Sequence, residues 1–194
     1  MSDIASFSDP SLRITLIFAL ALLASLIVKF WLASRQIRHV AAHRAQVPVA
    51  FAQTISLAAH QKAADYTLAK AKLGLLEMAI GTVVLLGWTL LGGLSLLNQA
   101  LLSILPGGMW QQLALLMAFV AINGVIDLPI SLYQTFVLEQ RFGFNKMTWR
   151  LWLLDLVKSS VMGALIGLPL AALILWMMAA SGRAWWLWAW CVWM

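Results

Sequence analysis

Residues 151–180 read LWLLDLVKSSVMGALIGLPLAALILWMMAA, a run of thirty positions whose only charges, Asp155 and Lys158, lie in its first third. About 20 mostly apolar residues suffice for a helix to cross the hydrocarbon core of a bilayer, so this run is a membrane span with a polar entrance. Three more stretches are of the same kind, at about Ile14–Ala33, Leu73–Leu97 and Leu113–Val137. A fifth begins at Ala184 and reaches Met194 after eleven residues. In lipid every backbone polar group needs an internal partner, which a helix provides within its own segment. The expected fold is therefore all-α: a polytopic transmembrane helical bundle with four full spans and the start of a fifth, forming a single domain over residues 1–194. A chain that stops at Trp190-Cys191-Val192-Trp193-Met194, partway into the bilayer, is expected to be a fragment of a longer protein.

Composition agrees with the spans. Of 194 residues 63% are hydrophobic and 10% charged, with a mean hydropathy of +0.90. Soluble domains are about half apolar and about a quarter charged, and a chain of this size leaves too much surface facing water to hide such an excess. Eleven Trp against two Tyr add weight, because indole rings favour the membrane–water interface. One cysteine, Cys191, rules out an internal disulfide framework and a thiolate zinc cluster. Asp3 and Asp9 ahead of the first apolar run, with no basic segment, mark a retained span rather than a secretory signal.

The net charge of +6 is unevenly placed. Arg13 alone precedes the first span, and the first loop holds Arg35, Arg38, Arg44, Lys62, Lys70 and Lys72. The second loop, Asn98 to Gln112, has no Lys or Arg; the third has Arg141, Lys146 and Arg150, and the fourth Arg183. Such alternation sets topology: the N-terminus is expected outside and the first and third loops in the cytoplasm. The membrane is expected to be a bacterial inner membrane, with the endoplasmic reticulum as the alternative. No nucleic-acid partner is expected, although a basic patch could also bind phosphate. Leu105-Pro106-Gly107-Gly108 marks the uncharged outer turn. In the first loop, Pro48 suits the opening turn of a helix, and Phe51, Ile55, Ala58 and Ala59 recur at helical spacing. A cytoplasmic helix from there into the second span is expected.

Several constellations could carry chemistry. His39-Val40-Ala41-Ala42-His43 has a metal-ligand spacing, but a hydrolytic His-Glu-x-x-His helix needs Glu where Val40 stands. A third ligand would require His60 to fold back; two solvated histidines is the plainer reading. Asn123, Asp127, Ser131 and Gln134 fall at i, i+4, i+8 and i+11, a polar stripe at membrane depth. It serves either interhelical hydrogen bonding or the wall of a wet cavity. Asp155 and Lys158 can pair across three residues, and Asp155, Ser159, Gly163 and Gly167 make a small-residue stripe suited to close helix packing. Glu77 has Lys70 and Lys72 as candidate partners, which leaves boundary anchoring and catalysis both open. The loop Glu139-Gln-Arg-Phe142-Gly143-Phe144-Asn145-Lys-Met-Thr148 places Gly143, free to adopt a left-handed turn, between two aromatic rings. Asn145 or Thr148 can cap the helix beginning near Trp149. Rings in such a loop are expected to dock on something.

Leu128-Pro129, Tyr133 and Phe136-Val-Leu-Glu139-Gln-Arg-Phe142-Gly143-Phe144-Asn145-Lys-Met-Thr148, followed by Asp155 and Lys158, resemble the N-terminal membrane region of type I CAAX prenyl proteases. Val47-Pro48, Phe51, Ile55 and His60-Gln61-Lys62-Ala-Ala-Asp65-Tyr66-Thr67 with Lys70 are similar to that family's first cytoplasmic loop. The resemblance covers nearly the whole chain in order. It implies an integral-membrane zinc metalloendopeptidase that encloses an intramembrane chamber and cleaves peptides, including C-terminally prenylated ones. The family's zinc sits on a His-Glu-x-x-His helix with a downstream Glu, expected after Met194. No zinc ligand or catalytic residue therefore carries over onto this chain, which is expected to bind no cofactor itself. Its expected partners are the bilayer, its own C-terminal catalytic domain and a peptide or prenylated-peptide substrate. The residues that do carry over are Gln61, Lys62, Asp65, Tyr66, Glu139, Phe142, Gly143, Phe144, Asn145, Thr148, Asp155 and Lys158, as braces for the catalytic domain and chamber mouth. A non-catalytic membrane scaffold is the alternative, and a small transporter using the Asp127 stripe a third.

Overall fold

A computed structural model describes residues 10–180 together with 182, 186, 187, 190 and 191. Helix α1 spans Pro10–Ala42, with Pro10 at the start, where its missing N–H leaves no bond unmade. None of its residues is buried, and Ile14, Ile17, Leu20 and Ile27 are all above 60% exposed. A helix apolar on every side suits lipid as its solvent. At 33 residues it is about 50 Å long, so one end extends past the hydrocarbon core.

The helix expected in the first loop begins later than Pro48 suggests. Val49–Phe51 forms a single 3-10 turn, closed by the Phe51 N–H on the Pro48 carbonyl at 2.8 Å. Helix α2 then runs over Leu57–Thr89, its first turn capped by Ser56, whose Oγ accepts the Ala59 N–H at 3.2 Å. Ser56 wins because its hydroxyl satisfies an orphan donor that Pro48 cannot reach. The first 16 residues of α2, up to Lys72, are mostly small or polar; the continuous apolar part starts at Leu73, which is buried.

The second span does not reach Leu97. It ends at Thr89, and a short helix α3, Gly93–Leu102, starts afresh behind Gly92 at φ 77°. Leu90 to Gly93 stays apolar, so hydropathy reads straight through a break made by backbone conformation. The stretch 98–112 is consequently mostly helical, its turn confined to 103–108. Helix α4, Met109–Tyr133, contains Pro129 and widens into a π-helical turn at Gln134–Glu139. Helix α5 spans Trp149–Ala180. The incomplete fifth span expected over 184–194 lies mostly outside the described residues; 186, 187, 190 and 191 are helical.

The single domain expected over 1–194 divides into two compact units. The first holds the chain up to Leu91 with Val137–Phe144, and the second holds Gly92–Phe136 with the chain from Asn145. In the first, α1 contacts α2. In the second, α3 packs on α4, where buried Gln111 donates from Nε2 to Asn98 Oδ1 at 2.6 Å. There too α4 meets α5, with the Phe136 ring stacked on Trp149 at 3.9 Å and Trp152 edge-on at 6.4 Å. Four helices are long and apolar enough to cross a membrane, and no strand occurs among the described residues. The protein is a multi-pass helical membrane protein.

Candidate functional site

The two loop strings singled out in the sequence meet in the first unit. Tyr66, on the polar part of α2, receives Phe142 and Phe144 edge-on, with ring centroids 5.4 and 4.9 Å away. The rings reach it because the chain turns sharply after the π-helical turn. Gly143 N–H bonds to the Gln140 carbonyl at 3.0 Å and Phe144 N–H to the Glu139 carbonyl at 2.9 Å, with Gly143 at φ 73°. This paired closure of a helix end needs a left-handed residue at Gly143. Three cations cover the three rings. Lys62 Nζ stands 5.5 Å from the Phe144 centroid, Lys70 Nζ 5.9 Å from Tyr66, and the Arg141 guanidinium 5.9 Å from Phe142. Lys62, Tyr66 and Lys70 share one helix face at i, i+4 and i+8.

A two-pronged ion pair stands beside this clasp. Arg44, just beyond α1, donates from Nε and Nη2 to the two Asp65 oxygens at 2.6 and 2.7 Å. These hydrogen bonds hold the Asp65 carboxyl below the ordinary carboxylate range. Partial desolvation opposes that shift, and the positive charges of Arg44 and Arg141 assist it. In return the Arg44 guanidinium is pushed above its usual value. Both side chains remain about two-fifths exposed, so the pair orients the loop more than it stabilises it.

The histidines fold together without forming a ligand set. His60 does reach back, but its Nε2–H donates to the His43 carbonyl at 3.1 Å. His43 Nδ1–H donates to the His39 carbonyl at 2.8 Å, and the two rings lie 4.3 Å apart. Among the described residues no group of three or more His, Cys, Asp or Glu is placed to hold a metal.

Other candidates are dispersed. Asn123 Nδ2 donates to the Phe119 carbonyl within its own helix at 2.7 Å; Asp127 and Ser131 are exposed, and Gln134 opens the π-helical turn. Thr148 is the helix cap, its Oγ accepting the Leu151 N–H at 3.3 Å, while Asn145 Oδ1 accepts the Met147 N–H in a turn of its own. Asp155 and Lys158 are exposed and do not pair. Glu77 pairs with neither lysine: Lys72 lies on another helix face, and Lys70, nearly two turns back, is about 10 Å away along the axis. The small-residue stripe does not close on a neighbour. Ser159, Gly163 and Gly167 line, with Gly124 and Val120 of α4, an apolar cleft of about 670 Å³. A Cβ added at Gly124, Gly163 or Gly167 would meet no atom within 4 Å.

Arg44, Lys70 and Arg141 belong to the site although the sequence marked them only as topology charges or string members. For Lys70 the signal was available in its four-residue spacing from Tyr66; for Arg44 and Arg141 nothing local announced the partner.

Residues 36–194 match the family described as CAAX prenyl protease N-terminal, five membrane helices. The CAAX prenyl protease 1 of Saccharomyces cerevisiae is 43% identical over 65 residues, covering 34% of this chain and 14% of that protein. The mouse CAAX prenyl protease 1 homolog is 31% identical over 188 residues, covering 90% of this chain and 38% of its own length. The crystal structure of S. mikatae Ste24p superposes with a TM-score of 0.80 at 25% identity, over 88% of this chain and 40% of that one. The chain thus spans well under half the length of these relatives.

Proposed function

The chain belongs to the CAAX prenyl protease N-terminal family, and from that membership we propose that it is the membrane-embedded part of a zinc metalloendopeptidase acting on peptides, prenylated ones included. Zinc would polarise the scissile carbonyl and activate water. His43 and His60 each commit a ring N–H to a backbone carbonyl, and the three histidines form no ligand set, so the metal is assigned to residues outside those described. This chain's part is to enclose substrate in the membrane and to brace the zinc-bearing region. Its first and third loops face the cytoplasm of a bacterial inner membrane, in keeping with their Lys and Arg content.

One observation carries the bracing role: two family-like strings about 75 residues apart interlock through Tyr66, Phe142 and Phe144. A structured clasp, rather than two loose loops, is what a second domain needs to seat against. The test uses a protein containing both this chain and the zinc-bearing region, assayed for cleavage of a C-terminally prenylated peptide. Phe142→Ala/Phe144→Ala should lower cleavage at least tenfold while helix content and zinc occupancy hold. Full activity in that variant would refute the bracing role, and absence of cleavage by the unaltered protein would refute the protease reading.

A further inference from the structure

Between Arg44 and Lys62 the chain carries no Asp, Glu, Lys or Arg, and it turns apolar side chains outward. Val49 is 93% exposed, and Phe51, Ile55 and Leu57 are between 40% and 53%. Consecutive turns fix this display. Phe51 N–H bonds to the Pro48 carbonyl at 2.8 Å, then Thr54 N–H and Ile55 N–H both bond to the Phe51 carbonyl, at 3.0 and 2.9 Å, before Ser56 caps α2. The Ile55 bond spans four residues as in a helical turn, so the Phe51 and Ile55 side chains are neighbours. A knuckle already formed loses little conformational freedom when it is covered.

Two observations decide what covers it. The polar part of α2, 57–72, holds the knuckle about 24 Å along the helix axis from Leu73, and still about 18 Å away at a tilt of about 40°. The headgroup layer is only about 5–8 Å deep, so the bilayer is out of reach. Four side chains also fall far short of the roughly 20 residues a side that hold separate proteins together, which favours an occupant tethered to the same polypeptide. The mouse homolog and S. mikatae Ste24p have well over half their length outside the part matched here. Building on the protease reading, we infer that the zinc-bearing region of the same polypeptide seats an apolar patch of its own on Val49, Phe51, Ile55 and Leu57.

Photocrosslinking in a protein containing both this chain and the zinc-bearing region tests it. Val49→benzoylphenylalanine should, on irradiation, join a peptide of the zinc-bearing region without doubling the mass of the polypeptide. Adding Phe51→Ser/Ile55→Ser should cut that adduct at least about fivefold, while Phe51→Leu/Ile55→Leu should keep it. Circular dichroism confirms that each variant is folded. An adduct to a second copy, to lipid or to another protein would overturn the docking, as would no adduct at all. So would an adduct that Phe51→Ser/Ile55→Ser leaves unchanged. Cleavage of a prenylated peptide without the adduct would sink this inference and leave the protease reading standing; the adduct without cleavage would do the reverse.

Discussion

Tyr66 is the hub of the loop clasp, and replacing it by leucine tests the energetics directly. Tyr66→Leu keeps apolar bulk but removes two edge-to-face ring pairs and the Lys70 contact. A ring pair contributes about 0.5–1.5 kcal/mol beyond its area, and an exposed cation over a ring about 0.5–1 kcal/mol. The partial exposure of the cluster favours the low ends, which sum to about 1.5 kcal/mol. That energy opposes local opening of the turn at Gly143 and Phe144, whose amide protons are held by the Gln140 and Glu139 carbonyls. Hydrogen–deuterium exchange at those two amides should therefore quicken about tenfold, while amides in the middle of α2 hold their rate. Tyr66→Phe should leave exchange within twofold, because the rings do the holding and the phenol oxygen makes no hydrogen bond among the described residues. Exchange in Tyr66→Leu within twofold of the unaltered chain would refute the reasoning, as would equal damage from Tyr66→Phe.

Three further outcomes are expected. Gly143→Ala puts a side chain on backbone at φ 73°, which costs about 1–2 kcal/mol; the added Cβ would lie 3.6 Å from Lys62 Nζ, ordinary contact, so the backbone term dominates. Its melting temperature should fall, with Gly143→Asn intermediate, and an unchanged melt would show that the turn is dispensable. Because the Asp65 carboxyl is depressed, the Arg44 pair contributes fully above about pH 4, the unfolded carboxylate value, and fades as pH drops through the lower folded one. Asp65→Asn should thus melt lower than the unaltered chain at pH 7, with the gap narrowing from pH 4 downward; a gap that widens on acidification contradicts the pairing. Gly163→Ala and Gly167→Ala, facing open space, should be neutral or stabilising by up to about 1 kcal/mol in thermal melts. Marked destabilisation would show that the glycines pack against something after all.

Hydropathy located all four long helices, since lipid demands an apolar surface that can be counted residue by residue. It was blind to the break at Gly92, where a positive φ interrupts the helix without any change in polarity. It was equally blind to the π-helical turn at Gln134–Glu139, a matter of hydrogen-bond register rather than composition. The loop strings stood out by composition, and the need for their rings to dock was legible. Which surface received them was not, because no local rule links position 66 to positions 142 and 144. The glycine stripe of α5 misled: the spacing of Gly163 and Gly167 signals close approach, but their neighbours across the cleft stand back.

The clasp also sets a clock for biogenesis. Phe142 leaves the ribosome 76 residues after Tyr66, which at roughly 5–20 residues per second is about 4–15 s later. Throughout that interval Tyr66 lacks both of its ring partners, and two apolar segments must enter the bilayer before the turn at Gly143 can close. Closure of the clasp therefore reports that the middle helices have been threaded in order. A translocation fault between α2 and α4 would leave Tyr66 bare, a surface that quality-control proteases could read.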